Sequence, residues 1–427
     1  MTIAALEALS FGLARTAEAA RAAGHRLVLL TGDRSVYRHE LATAGSADAS
    51  PDGPAGGLEV VDVDTFDPAA VRGALARLPD LAGLINSTDT WSLPAAELAQ
   101  ELGLPGPDPE AVRLLRDKAR VRDTLHRAGL SAGTSVVVEP RSDSAQLIRE
   151  AVGLPAVLKV SAGTSSRDVW IVPDEPALDL ALAEAAERAQ APGGLNGRLF
   201  AEPFLAGPLY SAETLSWEGR TRLLGVLSRQ TSRRPAVREE AAAFPVALPD
   251  GRLAAIERWV GDVLAAAGHD QGFAHVEFVL TRRGPELVEI NRRIGGALVA
   301  EAMCRTLDVN VYEALVDVTL GRRPALLDAP LRPVGPAVAF VLVYADEPGV
   351  LERWDGLDGL DAFPGEVSWY PVRAPGDAVP HVHDQRGCTG MVLAEAETAE
   401  LAQHRAWSAA TTVRPVMKTA DGADGRG

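Results

Sequence analysis

The sequence predicts an α/β protein whose C-terminal parts are α+β, and two patterns along the chain carry that prediction. Over residues 1–105, apolar runs alternate with Ala-rich helical stretches, a βαβ pattern typical of a parallel, Rossmann-like sheet. Beyond Gly321-Arg-Arg-Pro324 the composition changes to short apolar segments separated by turns, which predicts a strand-rich region. With 427 residues, 47% of them hydrophobic, the chain is long enough for roughly two to four globular units.

The N-terminal unit is expected to contain four strands and three helices. Strands are predicted at Ile3–Leu9, Leu27–Thr31, Leu58–Val63 and Leu81–Asn86, and helices at 12–23, 68–77 and 93–102. No Gly-x-Gly-x-x-Gly follows the first strand, so a nicotinamide dinucleotide is not an expected cofactor. The segment 87–90, Ser-Thr-Asp-Thr, follows the fourth strand at the edge where open α/β sheets bind ligands. These residue types also cap helices, and the sequence favours that simpler interpretation.

Lysine is rare in this chain, which draws attention to its positions. Of 42 basic residues only Lys118, Lys159 and Lys418 are lysines. After a Pro/Gly-rich boundary at 102–109, Lys118 follows Asp117 on a predicted helix. Lys159 lies inside an apolar strand, which seldom accepts a lysine without a partner. The Ser/Thr/Gly loop 161–166 follows at once, and its hydroxyl and N–H groups suit phosphate oxygens, although it is not a P-loop.

A predicted hairpin organises the rest of the chain. Its strands cover 273–280 and 286–296, and a polar loop joins them at 281–285. Pairing Leu280 with Glu286 places Glu277 directly opposite Glu289, with Asn291 on the same face. Cross-strand Cβ atoms lie about 5 Å apart, so two like charges there are unfavourable. A hard cation such as Mg²⁺ would remove the repulsion; a solvated face that happens to carry acids is the alternative.

Arg293 strengthens the interpretation of the hairpin as a binding site. It lies two residues beyond Asn291 and leads into Gly295-Gly296, where backbone can approach a ligand closely. Carboxylates followed by a guanidinium suit a site that handles phosphate or carboxylate oxygens.

The remaining segments are predicted in less detail. The segment 199–207 is an extended strand broken by Pro203 and Gly207, and a second hairpin pairs Tyr210–Leu215 with Thr221–Ser228. The polar segment 229–243 is expected to be a mobile loop beside the site. Helices are predicted near 144–152, 176–190, 251–267, 298–307 and 396–410, and later strands at Ala337–Tyr344, Val367–Val372 and Gly390–Ala394. His381-Val-His383 has no third metal ligand nearby in the sequence, which favours an exposed loop.

Composition excludes several classes of partner. The formal net charge of −16 argues against nucleic acid or an anionic membrane as a general partner. There is no basic segment followed by an apolar one at the N-terminus and no run of about 18 apolar residues. With Cys304 and Cys388 as the two cysteines, a disulfide framework is not expected, and the sequence predicts a cytoplasmic protein.

These motifs together resemble the ATP-grasp superfamily, and within it the carboxylate–amine ligases of the L-amino acid or dipeptide type. The order matches over about residues 3–412: a Rossmann-like unit, Asp117-Lys118, Lys159 with its loop, Glu202-Pro-Phe-Leu205, then Glu277 and Glu289-x-Asn291-x-Arg293. The resemblance implies an ATP-grasp fold divided into 1–106 (Rossmann-like), 107–200 (small ATP-grasp subdomain), 201–324 (large subdomain with the metal site), 325–417 (strand-rich subdomain) and 418–427 (disordered tail).

The resemblance also implies a role for each site residue. Residues expected to bind ATP are Lys118, Lys159, Ser161, Gly163, Glu202, Phe204, Leu205 and Glu213; Mg²⁺ (or Mn²⁺) ligands are Glu277, Glu289 and Asn291; substrate-binding residues are Glu239, Arg293, Gly295 and Gly296; catalytic residues are Arg293, Glu289 and Lys159. Such enzymes phosphorylate a carboxylate with ATP, and an amine then displaces phosphate from the acyl phosphate. The resemblance implies that the partners are a small carboxylic acid and an amine of natural product biosynthesis, and the family allows a homodimer.

Three positions depart from the family pattern. Leu209 stands where an acid that binds ribose is expected, the phosphate loop has one glycine, Gly163, and Ala242 replaces a histidine that follows Glu239 in dipeptide ligases. These departures leave two alternatives open: phosphoryl transfer to a carboxylate without an amine acceptor, or a degenerate protein that binds nucleotide without turnover. The acceptor could also be ammonia or a hydroxyl group.

Overall fold

The computed structural model of the chain describes residues 1–46, 58–164, 167–195, 197–232, 237–249 and 251–418, and its strands form four sheets. The predicted tail, 418–427, lies outside the described residues except for Lys418, which is the last residue of a strand.

The N-terminal sheet is parallel, as the βαβ pattern predicts. Its elements are β1 (Thr2–Leu6), α1 (Leu13–Ala22), β2 (Arg26–Thr31), α2 (Arg38–Ser46), β3 (Leu58–Asp62), α3 (Pro68–Leu75), β4 (Leu81–Ile85) and α4 (Ser92–Glu101). The strand order is β3-β2-β1-β4. At the carboxyl end of β1, the buried carboxylate of Glu7 accepts hydrogen bonds from the hydroxyls of Thr31, Tyr37 and Thr65. Side chains of the protein therefore occupy the space at the carboxyl end of β1.

A small antiparallel sheet follows. It contains α5 (Pro109–Leu115), α6 (Lys118–Arg127), β5 (Val136–Val137), α7 (Ser144–Ala151), β6 (Ala156–Val160), β7 (Val169–Val172), α8 (Glu175–Gln190) and β8 (Leu199–Pro203), with strand order β5-β8-β6-β7. Leu158 and Val160 pack into the apolar core beneath α7 and α8. Since side chains alternate along a strand, Lys159 points away from that core.

The rest of the described chain forms a large third sheet of eight strands and a fourth sheet of three strands. In chain order, the elements of these two sheets are β9 (Leu209–Trp217), β10 (Arg220–Thr231), β11 (Glu239–Phe244), α9 (Arg252–Ala266), β12 (Gly272–Thr281), β13 (Gly284–Asn291), α10 (Val299–Leu307), α11 (Val311–Thr319), β14 (Ala337–Tyr344), β15 (Gly349–Asp355), β16 (Ser368–Pro371), β17 (Ala378–Val379), β18 (Cys388–Ala396), α12 (Ala399–Ala410) and β19 (Arg414–Lys418). The order β13-β12-β9-β10-β11-β14-β18-β16 is antiparallel throughout, and β17-β15-β19 forms the fourth sheet. Because β14 pairs with β11, one sheet continues across the boundary expected at residue 325.

The prediction of a mobile loop at 229–243 is wrong for the residues that the structure describes, which belong largely to two strands. Arg229 lies within β10, and residues 239–244 form β11; residues 233–236 fall outside the described part of the chain. The segment is polar because its alternate side chains face a cleft, whereas Ala241 and Ala243 pack into the core on the other face of the sheet.

The central hairpin has the predicted strand register around Glu277 and Glu289, but not near its turn. Glu277 pairs with Glu289 and Val276 with Ile290, as expected. Near the turn, Leu280 pairs with Pro285 rather than with Glu286, and Thr281 pairs with Gly284, so the loop is shorter than predicted. A bulge beyond Glu277 shifts the register by one residue and reconciles the two ends.

Candidate active site

A cleft of about 790 Å³ lies between the small sheet and the large one. Most of the predicted site residues line it: Lys118, Lys159, Gly163, Glu202, Phe204, Leu205, Glu239, Glu277, Glu289, Asn291, Arg293 and Gly296. Ser161, Glu213 and Gly295 are buried behind that surface. The structure thus brings together residues from helix α6, both sheets and the loop after β13.

The floor of the cleft carries the paired carboxylates. Glu277 on β12 and Glu289 on β13 are direct cross-strand partners, and Asn291 follows on the same strand. The Nζ of Lys118 lies 2.9 Å from Glu289 Oε1. In the amide orientation that satisfies its hydrogen bonds, the side-chain nitrogen of Asn291 faces the two neighbouring carboxylates. It donates to Glu289 Oε1 at 3.1 Å and to Asp89 Oδ1 at 3.2 Å. The charge of Lys118 and the amide of Asn291 therefore stabilise the carboxylate of Glu289.

This donor set suits Mg²⁺ bound together with phosphate oxygens. In the described residues no three His, Cys, Asp or Glu side chains form a metal-binding group by themselves. Two carboxylates and one carboxamide leave several positions of an octahedral ion for water and ligand oxygens, which is how proteins commonly hold Mg²⁺ with a nucleotide. Nucleotide and metal are thus expected to share this floor.

The two lysines reach the cleft from different elements, Lys118 from the start of α6 and Lys159 from β6. Lys118 begins α6, and its Nζ donates to the carbonyl of Gly163 at 2.6 Å. A Cβ added to Gly163 would lie 2.6 Å from Val160 Cγ2, so the loop needs glycine at this position. The hydroxyl of Ser161 accepts a hydrogen bond from the Arg198 N–H, which connects the loop to the residue that precedes β8. Residues 165–166 of this predicted phosphate loop lie outside the described residues.

Lys159 is part of a buried triad. Its Nζ lies 2.5 Å from Glu202 Oε1, and the guanidinium of Arg122 lies 2.7 Å from Glu202 Oε2. Burial alone would raise the pKa of the Glu202 carboxyl, but Arg122 and Lys159 hold that pKa below its usual value. Arg122 Nη2 also donates to the carbonyl of Leu287 on β13, which connects α6 to the large sheet. The ion pair with Glu202 therefore fixes the position of the Lys159 ammonium. Two residues further along the chain, the Phe204 N–H donates to the carbonyl of Pro155.

Glu213 and His275 form a second buried pair next to Glu277. His275 Nδ1 lies 2.6 Å from Glu213 Oε1, and the Gly295 N–H donates to Glu213 Oε2 at 3.3 Å. Burial lowers the pKa of His275, but Glu213 outweighs it and raises the pKa to about 9. His275 Nε2 lies 3.3 Å from Glu277 Oε1. Any Cβ at Gly295 would lie 2.8 Å from His275 Nδ1, which explains the glycine.

Arg293 is anchored by the N-terminal sheet. Its Nε and Nη2 donate to Asp89 Oδ2 at 2.8 and 2.6 Å. Burial raises the pKa of Asp89, but Arg293 outweighs it and lowers the pKa below its usual value. The residue preceding α4 is Trp91, which makes no side-chain cap, so the helix-capping interpretation of 87–90 was wrong. Asp89 joins two parts of the chain that are far apart in sequence.

On the far side of the cleft, Arg229 and Glu239 face each other. Arg229 Nε lies 2.8 Å from Glu239 Oε1, and Nη2 lies 3.5 Å from Glu277 Oε1. Burial raises the pKa of Glu239, and Arg229 opposes that effect. Gln385, from the loop before β18, donates to Glu239 Oε2 at 3.4 Å.

Comparison with known proteins is consistent with this geometry. A family model described as "ATP-grasp domain" matches residues 152–301, and one described as "L-amino acid ligase C-terminal domain 2" matches residues 341–418. The solved structure of an L-amino acid ligase from Bacillus licheniformis superposes with a TM-score of 0.77 at 21% identity, covering 98% of both chains. This chain is an ATP-grasp ligase of the ADP-forming kind.

Other relatives of this ATP-grasp ligase cover it less evenly. An uncharacterised protein of Sinorhizobium fredii is 28% identical over 79% of this chain and 70% of its own length. Human carnosine synthase 1 is 29% identical over 60% of this chain, which spans about a third of that protein (32%). The biotin carboxylase domain dimer of Hydrogenobacter thermophilus 2-oxoglutarate carboxylase, described with MgADP and bicarbonate, superposes with a TM-score of 0.71 at 17% identity over 97% of this chain and 90% of that one. Across the described ranges, no helix of the ligase combines the length and apolar character of a membrane span.

Sequence reasoning missed four charged residues of the ligase site. Arg122 lies one helical turn after Lys118, and His275 lies two residues before Glu277 on the same strand face, so spacing alone could have drawn attention to both. Asp89 was noticed but assigned to a cap, and Arg229 was placed in a loop. No periodicity in the sequence indicates their partners.

The burial of His269 leads to a prediction about how the free energy of unfolding depends on pH. Burial lowers its pKa to about 3, and its neutral Nδ1 accepts a hydrogen bond from Arg292 Nε at 2.9 Å. Below the unfolded pKa of about 6.5, the unfolded chain binds a proton here that the folded protein does not. The free energy of unfolding should therefore fall by about 2 kcal/mol more between pH 7 and pH 5 than in His269→Gln, measured by urea unfolding. Equal losses in the two proteins would contradict the assignment.

Proposed function

We propose that this protein is a Mg²⁺- and ATP-dependent carboxylate–amine ligase that joins amino acids or a related small acid and amine through an amide bond. The observation that carries the proposal is the cleft floor, where Glu277 and Glu289 are cross-strand partners and Lys118, Lys159 and Arg293 approach them. The match to an L-amino acid ligase C-terminal domain supports the amino acid class of substrate. The carnosine synthases, by their name, make an amide-linked product, which supports the same bond type.

The proposed reaction has two steps. A carboxylate oxygen of the acid attacks the γ-phosphorus of ATP, the bond from that phosphorus to the ADP oxygen breaks, and ADP leaves with the electron pair. The amine nitrogen then attacks the acyl carbon, the bond to the phosphate oxygen breaks, and phosphate leaves. Starting from an ammonium, one proton is used to balance the leaving phosphate and one is released. The products are the amide, ADP and phosphate.

Residues of the cleft would hold the reactants and neutralise charge. Lys118 and Lys159 would bind the ATP phosphates, Arg293 would bind the reacting carboxylate, and Glu239 would bind the substrate. Mg²⁺, when bound by Glu277, Glu289 and Asn291, supplies electrostatic stabilisation of the transferring phosphoryl group. Phe204, Leu205 and nearby backbone groups would enclose the base.

The ion pairs of the cleft are compatible with these roles. Lys118 contacts Glu289, and Lys159 contacts Glu202, so each expected phosphate ligand is neutralised by a carboxylate. When a Mg-nucleotide complex binds, Lys118 would exchange Glu289 for a phosphate oxygen, and Glu289 would exchange Lys118 for Mg²⁺. This exchange avoids leaving a buried charge without a partner.

The test is release of ADP and phosphate from Mg-ATP with pairwise mixtures of amino acids and small carboxylic acids, with mass spectrometry of the products. Release that requires two compounds and yields an amide mass supports the proposal. Release with one acid alone would instead indicate a carboxylate kinase or an acyl phosphate lost to water. Nucleotide binding without release across a broad panel would indicate a protein that binds ATP without turnover. Light scattering of the same sample tests the expected homodimer.

A further inference from the structure

Arg229 is a buried cation at the cleft to which the proposed reaction assigns no role. It lies near the end of β10, and 9% of its side chain is exposed, at the surface of the cleft. Across the neighbouring strands it pairs with Leu209 and Ala242, which are apolar, so neither neighbour on the sheet neutralises it. Burying a guanidinium is unfavourable unless its charge and its N–H groups find partners.

The charge of Arg229 is compensated better than its hydrogen-bonding capacity. Glu239 lies 2.8 Å away and Glu277 lies 3.5 Å away, which balances the charge. In the described part of the chain, however, Arg229 Nε and Glu239 Oε1 make no aligned hydrogen bond. A guanidinium has five N–H donors, and Nη1 lies 2.8 Å from His275 Nε2. Because Glu213 raises the pKa of His275 to about 9, that nitrogen carries a proton at neutral pH and does not accept from Arg229. Among the described residues, the buried Nε donor of Arg229 therefore lacks an aligned acceptor.

The neighbours of Arg229 indicate what kind of ligand this is. The guanidinium lies between Glu277, a proposed metal ligand, and Glu239, a proposed substrate residue. Arg293 reaches the same carboxylate floor from the end of β13, held by Asp89. Two guanidinium groups therefore approach the floor from different strands. Planar forks of N–H donors suit carboxylate and phosphate oxygens, which they bind with two parallel hydrogen bonds.

We propose that Arg229 is a second catalytic arginine, which binds the carboxylate of the acid substrate and then the phosphoryl oxygens of the acyl phosphate. Glu239 and Glu277 hold its guanidinium in place before the substrate arrives. Arg229 makes and breaks no covalent bond and keeps its proton while the new oxygen–phosphorus bond forms and the bond to ADP breaks. This role rests on the proposed ligase function, because it needs a carboxylate that receives phosphate at this floor.

Calorimetric binding of inorganic phosphate to the protein loaded with Mg-ADP tests this role without knowledge of the natural substrates. Arg229→Ala should weaken phosphate binding by about tenfold or more, with Mg-ADP affinity within about twofold of the wild type. Arg229→Lys keeps the charge but not the fork and should recover part of the phosphate affinity. Arg220→Ala, at the exposed start of the same strand, should bind both ligands like the wild type.

Each other outcome decides against the role. Phosphate binding by Arg229→Ala at wild-type affinity would overturn it, as would full recovery of phosphate affinity in Arg229→Lys. If Arg229→Ala unfolds more easily, the charge-balanced Arg229→Ala/Glu239→Gln variant replaces it, and wild-type phosphate affinity there overturns the role. Failure of the wild-type protein to bind Mg-ADP would overturn the proposed ligase function itself, and the role of Arg229 with it. The wild-type titration thus separates the two failures.

Discussion

Glu289→Gln should lower the rate of ADP release at saturating ATP by roughly 10²–10³-fold, because it removes one of two paired carboxylates from the floor of the cleft. The substitution keeps the shape of the side chain, so packing of β13 is preserved. It removes the charge that faces Glu277 and that contacts Lys118 at 2.9 Å. A site that needs two carboxylates for a divalent cation should lose both metal affinity and transition-state stabilisation.

The measurement is steady-state ADP release over a series of Mg²⁺ concentrations. Glu289→Gln should require more Mg²⁺ for half-maximal rate and should remain slow at saturation. Glu218→Gln, in the exposed turn between β9 and β10, serves as the matched control and should behave like the wild type. An unchanged rate in Glu289→Gln would remove the hairpin from the proposed mechanism.

The largest effect on stability is expected at Glu202. Glu202→Ala should lower the free energy of unfolding by about 3–5 kcal/mol, because it leaves the cations of Lys159 and Arg122 buried without their shared carboxylate. The pKa of Glu202 lies below its usual value, so the carboxylate is ionised when it makes these contacts. Arg122 also reaches the carbonyl of Leu287, so the loss should loosen α6 from the large sheet.

Thermal and urea unfolding of the ligand-free protein measure this effect. Glu187→Gln, exposed on α8, is the matched control and should change the free energy of unfolding by less than about 0.5 kcal/mol. Replacing the whole triad with apolar side chains, Glu202→Leu with Lys159→Met and Arg122→Met, should recover much of the lost stability, although Lys159 is then missing from the cleft. If Glu202→Ala unfolded like the control, the triad would contribute nothing to the fold.

Much of the architecture could be predicted from local patterns. The four strands of the parallel sheet and helices α1, α3 and α4 lie within a few residues of their predicted positions, since alternating apolar runs dictate such elements. The hairpin was predicted because period-two alternation places Glu277 and Glu289 on one face. Its register near the turn was wrong by one residue, and the bulge corrects it before the carboxylates. A bulge leaves no clear signal in side-chain alternation.

The sequence by itself determined which side chains leave the core: Lys159 on an apolar strand, and Glu277, Glu289 and Asn291 on one face of a hairpin. Only the tertiary structure decided which partners they meet. Asp89 and Arg293 are 204 positions apart, and Arg122 and Glu202 are 80 apart. Periodicity reports the face on which a side chain lies, but it carries no information about the distant element that packs over that face. Buried charges find their partners when the sheets and helices dock, because a buried charge without a partner is too unfavourable to persist.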